Sequence, residues 1–239
     1  MPDSSRDKEP PAGQALAPQG RSRIHDKVYA AIQDGLIGGR FVPGKSVTLR
    51  GLAEMLGVSP MPVRAAVARL VAEGALAMTP THRVSVPEMS PERFDELVRV
   101  RILLEGEAAE RALPAIDAVR LEAIREHDRR LEACLAVDDA SGYMAANHAF
   151  HFAIYEATPS TVLVPLIDSL WLQFGPFMRL VYERLDMTHL VDQHERAIRA
   201  IEAGDAAELR AAIVADIADG MRMIGLGALG PATRPSALR

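Results

Sequence analysis

Residues 48–74, TLRGLAEMLGVSPMPVRAAVARLVAEG, constrain the fold more than any other stretch. Thr48 offers a hydroxyl to the free amides of an opening helical turn. Leu49, Leu52, Met55 and Leu56 recur at helical spacing and make one apolar stripe. Gly57 stops that helix, as the residue type that takes positive φ without strain. Ser59 offers a second cap. Pro60 takes the first position of the next helix and Pro62 still falls in its first turn, where amides lack helical partners. Val63, Val67, Leu70 and Val71 form the buried stripe of that second helix, and small Ala53 lets the pair approach. This is the spacing of a helix-turn-helix, whose second helix enters the DNA major groove. The alternative is an ordinary helical hairpin in a core.

A chain of 239 residues with 49% hydrophobic and 25% charged residues is globular and suits one large domain or two small ones. Its single cysteine, Cys134, cannot build an internal disulfide framework and fits a reducing cytoplasm. No apolar run approaches the roughly 20 residues that span a bilayer, so no membrane partner is expected. The net charge of −5 looks wrong for a DNA binder until it is split. Residues 21–88 hold nine Lys/Arg against five Asp/Glu, a balance of +4. The first 20 residues contribute −1 and the remainder −8, from 16 Lys/Arg and 24 Asp/Glu. A basic front and an acidic back suit a chain of which only the front meets phosphate.

Residues 1–20 are rich in Pro, Gly and Ala and read as a disordered tail. Ile24, Val28, Ile32 and Leu36 then mark one face of an amphipathic helix over 22–38. After Gly74, two short apolar runs flank the polar tip Thr81-His82-Arg83 and read as a β-hairpin. Helix, helix-turn-helix and hairpin together make a winged helix over 21–88. From Ser90 onward no strand signal appears. Ser90-Pro91-Glu92 is a helix start, and helices are expected at about 91–112, 117–137, 140–157, 160–185, 188–203 and 205–225. Gly175-Pro176 is expected to kink the fourth of these. The fold class is therefore mainly α: a winged helix of three helices and a small hairpin, then an all-helical bundle over 89–227 and a flexible tail over 228–239.

The chain resembles the GntR family of bacterial transcription regulators, in the FadR-like branch with an FCD effector domain. The resemblance rests on Leu52-Ala53-Glu54-Met55-Leu56-Gly57-Val58-Ser59 followed by Pro62-Val63-Arg64-Ala65-Ala66 at the front. At the back it rests on Arg101 and Glu105, Asn147-His148-Ala149-Phe150-His151, and His194 with Gly204-Asp205. Pro60 stands where the family usually has Arg, Ala65 where it often has Glu, and Thr81-His82-Arg83 where it usually has Gly.

The resemblance implies DNA contacts from Arg50 and Arg64, since a guanidinium grips guanine bidentately or clamps phosphate. Ser59 and the opening amides of the recognition helix suit phosphate. Met61 can touch a thymine methyl, Pro62 lies beside it, and His82 and Arg83 are candidate wing contacts. Arg69, one turn further on, fits backbone or solvent better than a base. For the back domain the resemblance implies a divalent metal held by Asn147, His151, His194 and Asp216, with Zn²⁺, Ni²⁺ or Mn²⁺ all suited. A hydrogen-bonded polar cluster without metal is the alternative. Arg101 either faces an effector carboxylate or pairs with Glu105 one turn on.

The function expected is a cytoplasmic regulator, a repressor, that binds double-stranded operator DNA as a homodimer and senses a small organic acid. A metal-dependent enzyme using the His/Asp cluster is the competing reading. Arg64→Ala is expected to abolish the mobility shift of an operator duplex while leaving the circular dichroism spectrum unchanged. An undiminished shift refutes the role given to Arg64.

Overall fold

The computed structural model describes residues 19–228, except 80, 82 and 183–192. The expected tails therefore lie almost wholly outside the described residues, as does His82. Helix α1 spans Gln19–Ile37 and so starts two residues inside the stretch expected to be tail. The front continues with β1 (Ser46–Thr48), α2 (Leu49–Leu56), α3 (Pro60–Ala72), β2 (Ala77–Met78) and β3 (Arg83–Ser85). Six helices follow among the described residues: α4 (Pro91–Ala112), α5 (Ala118–Ala136), α6 (Ala140–Tyr155), α7 (Leu163–Tyr182), α8 (Gln193–Ala203) and α9 (Ala206–Ala228).

Local chemistry places these boundaries. Thr48 Oγ1 accepts from the Gly51 amide at 3.0 Å to start α2, and Gly57 closes it at φ 65°. Ser90, Asp117, Asp139 and Asp205 each accept from an amide three residues on, at the starts of α4, α5, α6 and α9. Ser59 departs from expectation. Its backbone has cap geometry, but its hydroxyl bonds to no helix amide. Pro60 and Pro62 have no N–H, so few donors remain for it to satisfy.

The wing is a three-stranded antiparallel sheet in the order β1-β3-β2, with Val47 opposite Val84 and Met78 opposite Val84. The hairpin is as expected. The third strand, β1, was not legible, because Ser-Val-Thr is too short to show alternation. Arg83 fastens β1 to β3 by donating to Ser46 Oγ at 2.7 Å and to the Ser46 carbonyl at 3.1 Å. Met55, expected in the buried stripe of α2, is instead 70% exposed.

One continuous apolar core runs from Val28 in α1 to Met221 in α9. Helix α7 joins the winged helix to the bundle. Its Asp168 accepts from Gln33 of α1 at 2.6 Å. Its Gln173 donates to the Glu73 carbonyl at the end of α3 at 3.3 Å, and accepts from Arg93 at 2.8 Å. Arg93 also donates to the Gly74 carbonyl at 3.1 Å. The helix continues through Gly175-Pro176 as a single element. Gly175 serves close approach: a Cβ there would lie 2.5 Å from the Leu36 carbonyl oxygen and 2.8 Å from Ile37 Cα. Backbone atoms cannot swing aside, so α1 and α7 would have to part. Gly175→Ala is expected to destabilise the protein by about 1–3 kcal/mol, read as a lower urea midpoint. An unchanged midpoint would show that the two helices separate at no cost.

Candidate functional site

Two groups of side chains stand out, one on the winged helix and one inside the bundle. On α3, Pro60, Met61, Arg64, Ala65, Ala68 and Arg69 face solvent while Pro62, Val63, Ala66, Val67 and Leu70 are buried. Met61 is 71% exposed. Pro62, expected beside the DNA, is part of the buried face and acts by shaping the start of the helix. Arg64 has no ion pair among the described residues. Arg50 is open to solvent and lies 3.4 Å from Glu54, one turn on. Arg69 is tied down: its guanidinium stacks 3.7 Å above the Tyr29 ring and donates to Glu73 at 2.9 Å. Tyr29 donates to the same carboxylate at 2.7 Å. Burial raises the Tyr29 phenol, with Glu73 adding to the effect, so it stays a donor.

The wing turn is closed by Thr79, whose amide donates to the Arg83 carbonyl at 2.9 Å and whose hydroxyl accepts from the Arg83 amide at 3.1 Å. Ser59, just before α3, and Arg83, on β3, are both exposed.

Inside the bundle, α6, α8 and α9 bring His151, His194 and Asp216 together, with one donor atom from each lying within 4.8 Å of the others. His151 Nε2 is 3.1 Å from Asp216 Oδ2, and His194 Nε2 is 3.8 Å from Asp216 Oδ1. Asn147 is buried one turn before His151, on the same side of α6. The other nitrogen of each imidazole is held: His194 Nδ1 by Asp128 of α5 at 3.0 Å, and His151 Nδ1 by the Tyr155 hydroxyl at 3.0 Å.

Behind Tyr155 lies a buried ion pair. Arg101 and Glu105, one turn apart on α4, are 2% and 0% exposed. Arg101 Nε and Nη2 donate to the Glu105 carboxylate at 2.5 and 3.3 Å. Glu105 also accepts from Tyr155 at 2.9 Å and from the Trp171 indole at 3.0 Å. Arg101 thus takes the pairing with Glu105 that its spacing allowed. Among the described residues, its Nη1 finds the Met221 sulfur as acceptor, at 3.7 Å.

Asp128 and Tyr155 were not singled out in the sequence. Asp128 sits in an Arg/Glu-rich run that reads as solvated surface. Tyr155 had one legible signal, its place one turn after His151. His148, next to Asn147, turns the other way and stacks on Phe152 at 4.0 Å.

The charges of the cluster suit a cation. Burial pushes His151 below the ordinary histidine range, against the raising pull of Asp216. Burial would raise Asp216, but its contact with His151 and the charges of His194, His151 and Arg101 outweigh it and hold the carboxyl at about 2. A neutral imidazole beside an ionised carboxylate is the donor set that divalent zinc, nickel or manganese accepts. A carboxylate behind the far nitrogen, as Asp128 is for His194, is the usual support of a metal-binding imidazole.

These geometries agree with comparisons to known proteins. Residues 24–86 match the model for bacterial regulatory proteins of the gntR family, and residues 96–219 match the FCD domain. The HTH-type transcriptional regulator McbR of Escherichia coli (strain K12) is 30% identical over 170 residues, 70% of this chain and 77% of McbR. The HTH-type transcriptional regulator LutR of Bacillus subtilis (strain 168) is 27% identical over 203 residues, 75% of this chain and 91% of LutR. The solved structure of E. coli McbR/YncC superposes with a TM-score of 0.79 at 27% identity, covering 84% of this chain and 96% of that one.

The lowered His151 gives a pH dependence with a definite sign. The unfolded chain takes up a proton in the ordinary histidine range, near about 6.5, before folded His151 does. Its contribution is therefore complete above that range and is lost as pH falls towards the lower folded value. In the presence of a chelator, the urea midpoint is expected to drop from pH 7 to pH 5, and His151→Gln to flatten part of that slope. The same slope in both proteins would assign it elsewhere. His127, which burial also lowers, supplies a remainder.

Proposed function

We propose, because the chain belongs to the GntR family of bacterial regulatory proteins and carries an FCD domain, that this transcription regulator is a cytoplasmic homodimeric repressor released or retained on its operator by a small organic acid. The matched families and relatives are transcription regulators, not enzymes, and the enzyme reading is set aside.

The reading of the bundle as a metal-dependent sensor is carried by one observation. Two imidazoles and a carboxylate on three different helices converge, while each imidazole is held from behind by Asp128 or Tyr155. His151, His194 and Asp216 would hold a divalent ion, with Asn147 as a fourth, neutral ligand. Such an ion supplies a Lewis-acidic point that a carboxylate or hydroxyl oxygen can chelate. Arg101 would contribute Nη1 to the other end of the acid, since Glu105 already occupies its Nε and Nη2. Zn²⁺, Ni²⁺ and Mn²⁺ all accept this ligand set.

On the winged helix, Arg64 would read a base from α3 and Met61 would lie against a thymine methyl. Arg50, Ser59 and Arg83 would lie along the phosphates, and His82 at the wing tip is proposed with them. A single winged helix spans few base pairs, so a second copy reading a second half-site raises affinity by linkage rather than by new contacts.

The test uses full-length protein and a duplex selected from a random library. Zinc at about one hundred times its dissociation constant is expected to stabilise the wild type by about 2.7 kcal/mol, read as a rise in Tm. His151→Ala should lose that rise and still shift the duplex in the absence of metal. A panel of small hydroxy- and keto-acids should alter the shift of the wild type only when metal is present. A Tm indifferent to Zn²⁺, Ni²⁺ and Mn²⁺ overturns the metal reading. Failure to shift any selected duplex at low salt overturns the assignment of the winged helix as the reading head.

A further inference from the structure

We infer that Glu105, acting through Tyr155, fixes the tautomer of His151 and so selects which imidazole nitrogen is offered to a metal ion, an inference that rests on the metal reading above. The argument is one of proton counting. Glu105 is paired with Arg101 and accepts only. Its Oε2 receives the Trp171 indole N–H at 3.0 Å, a group that can only donate, and the Tyr155 hydroxyl at 2.9 Å. A phenol carries one proton. With that proton directed to Glu105, the Tyr155 oxygen can meet His151 Nδ1, 3.0 Å away, only as an acceptor. Nδ1 must therefore carry the imidazole proton, and Nε2 is left as a bare lone pair.

That lone pair faces Asp216 Oδ2 at 3.1 Å. Two acceptors at this distance repel one another unless a cation joins them. Without Tyr155 the ring could place its proton on Nε2 and satisfy Asp216 with an ordinary hydrogen bond, which would close the cluster to a metal. Tyr155 forbids that escape. Asp128 constrains His194 in the same way, from 3.0 Å behind Nδ1. The two imidazoles are thus held by different devices: a carboxylate for His194, and for His151 a phenol whose own direction is set by a buried carboxylate two helices away. Glu105 and Tyr155 are positioning residues, since neither is among the ligand atoms.

Long-range ¹H–¹⁵N correlation spectra of the metal-free protein read the tautomer directly, and the spectrum lost in His151→Gln identifies the ring among the seven histidines. The wild type is expected to show the Nδ1-protonated form. Tyr155→Phe removes one oxygen and keeps the ring. It is expected to move the proton to Nε2 and to weaken zinc binding 10–100-fold, measured by competition with a chelating dye. Glu105→Gln, whose amide can donate to the phenol, is expected to shift the tautomer with Tyr155 intact; should it fail to fold, Tyr155→Phe decides alone. A wild-type ring protonated at Nε2, or a Tyr155→Phe protein with unaltered tautomer and zinc affinity, overturns the inference. A wild type that binds none of the three ions refutes the metal reading, and the tautomer spectra then decide the role of Tyr155 on their own.

Discussion

A carboxylate with no access to water, Glu105, constrains the bundle more than any other group. Removing an ionised side chain from solvent is expensive unless each lone pair finds a donor. Glu105 finds them on three helices: Arg101 on its own α4, Tyr155 on α6 and Trp171 on α7. The Arg101 guanidinium lies 4.5 Å from the Trp171 ring centre, which compensates part of its own desolvation. Removing one partner from a buried pair of this kind costs about 3–5 kcal/mol. The relative placement of α4, α6 and α7 is therefore set by a polar requirement as well as by apolar packing, and His151 inherits its orientation from that placement.

Helix α7 carries this constraint to the winged helix. Trp171 and Phe174 are buried towards the Arg101–Glu105 pair. Asp168, Gln173 and Gly175, on the same helix, meet Gln33, the end of α3 and the end of α1. A shift of α7 by a fraction of an ångström would be felt at the Gly175 contact, where no side chain is present to absorb it. This is a contiguous path of packed and hydrogen-bonded groups. Coupling between the sites in the thermodynamic sense requires in addition that α7 have two arrangements that ligand and DNA favour differently.

The sequence disclosed the fold to the extent that periodicity, caps and breakers carry it. Thr48, Gly57, Ser90 and Asp117 mark helix ends through chemistry confined to a few residues, and those ends were legible. β1 was not, because its pairing partner lies 37 residues away and three residues show no alternation. Gly175-Pro176 reads as a kink because proline lacks an amide; that the glycine also answers to the approach of α1 is a long-range fact that local sequence does not carry. Of the candidate site, the His151, His194 and Asp216 set came from resemblance at family positions. Asp128 and Tyr155 complete it from residues whose local sequence says surface and core, and only the packing of α5 on α8 and of α6 on α4 gives them a partner. Ser59 shows a further kind of miss. A capping hydroxyl is expected there, but the following prolines leave only the Met61 amide among the first three that a cap could serve.

That same proline pair alters what the recognition helix can offer DNA. An ordinary helix start presents several backbone N–H groups to phosphate, but two of the first three positions of α3 have none. Arg69 is held by Tyr29 and Glu73, so Arg64 is left as the guanidinium of α3 without an intramolecular partner among the described residues. Around it the exposed face carries Pro60, Met61, Ala65 and Ala68, with the paired Arg69 one turn further on. A face with one unpaired cation and a largely apolar surround gains little from phosphate and much from fit against base edges and methyl groups. Such a head is weak alone, because non-specific affinity comes mostly from phosphate neutralisation. The net −8 of residues 89–239 weakens it further by opposing approach to the duplex. In the proposed homodimer, weak phosphate gripping would make each head dependent on its linked second copy, and would make occupancy sensitive to small changes in how the bundle sets their spacing.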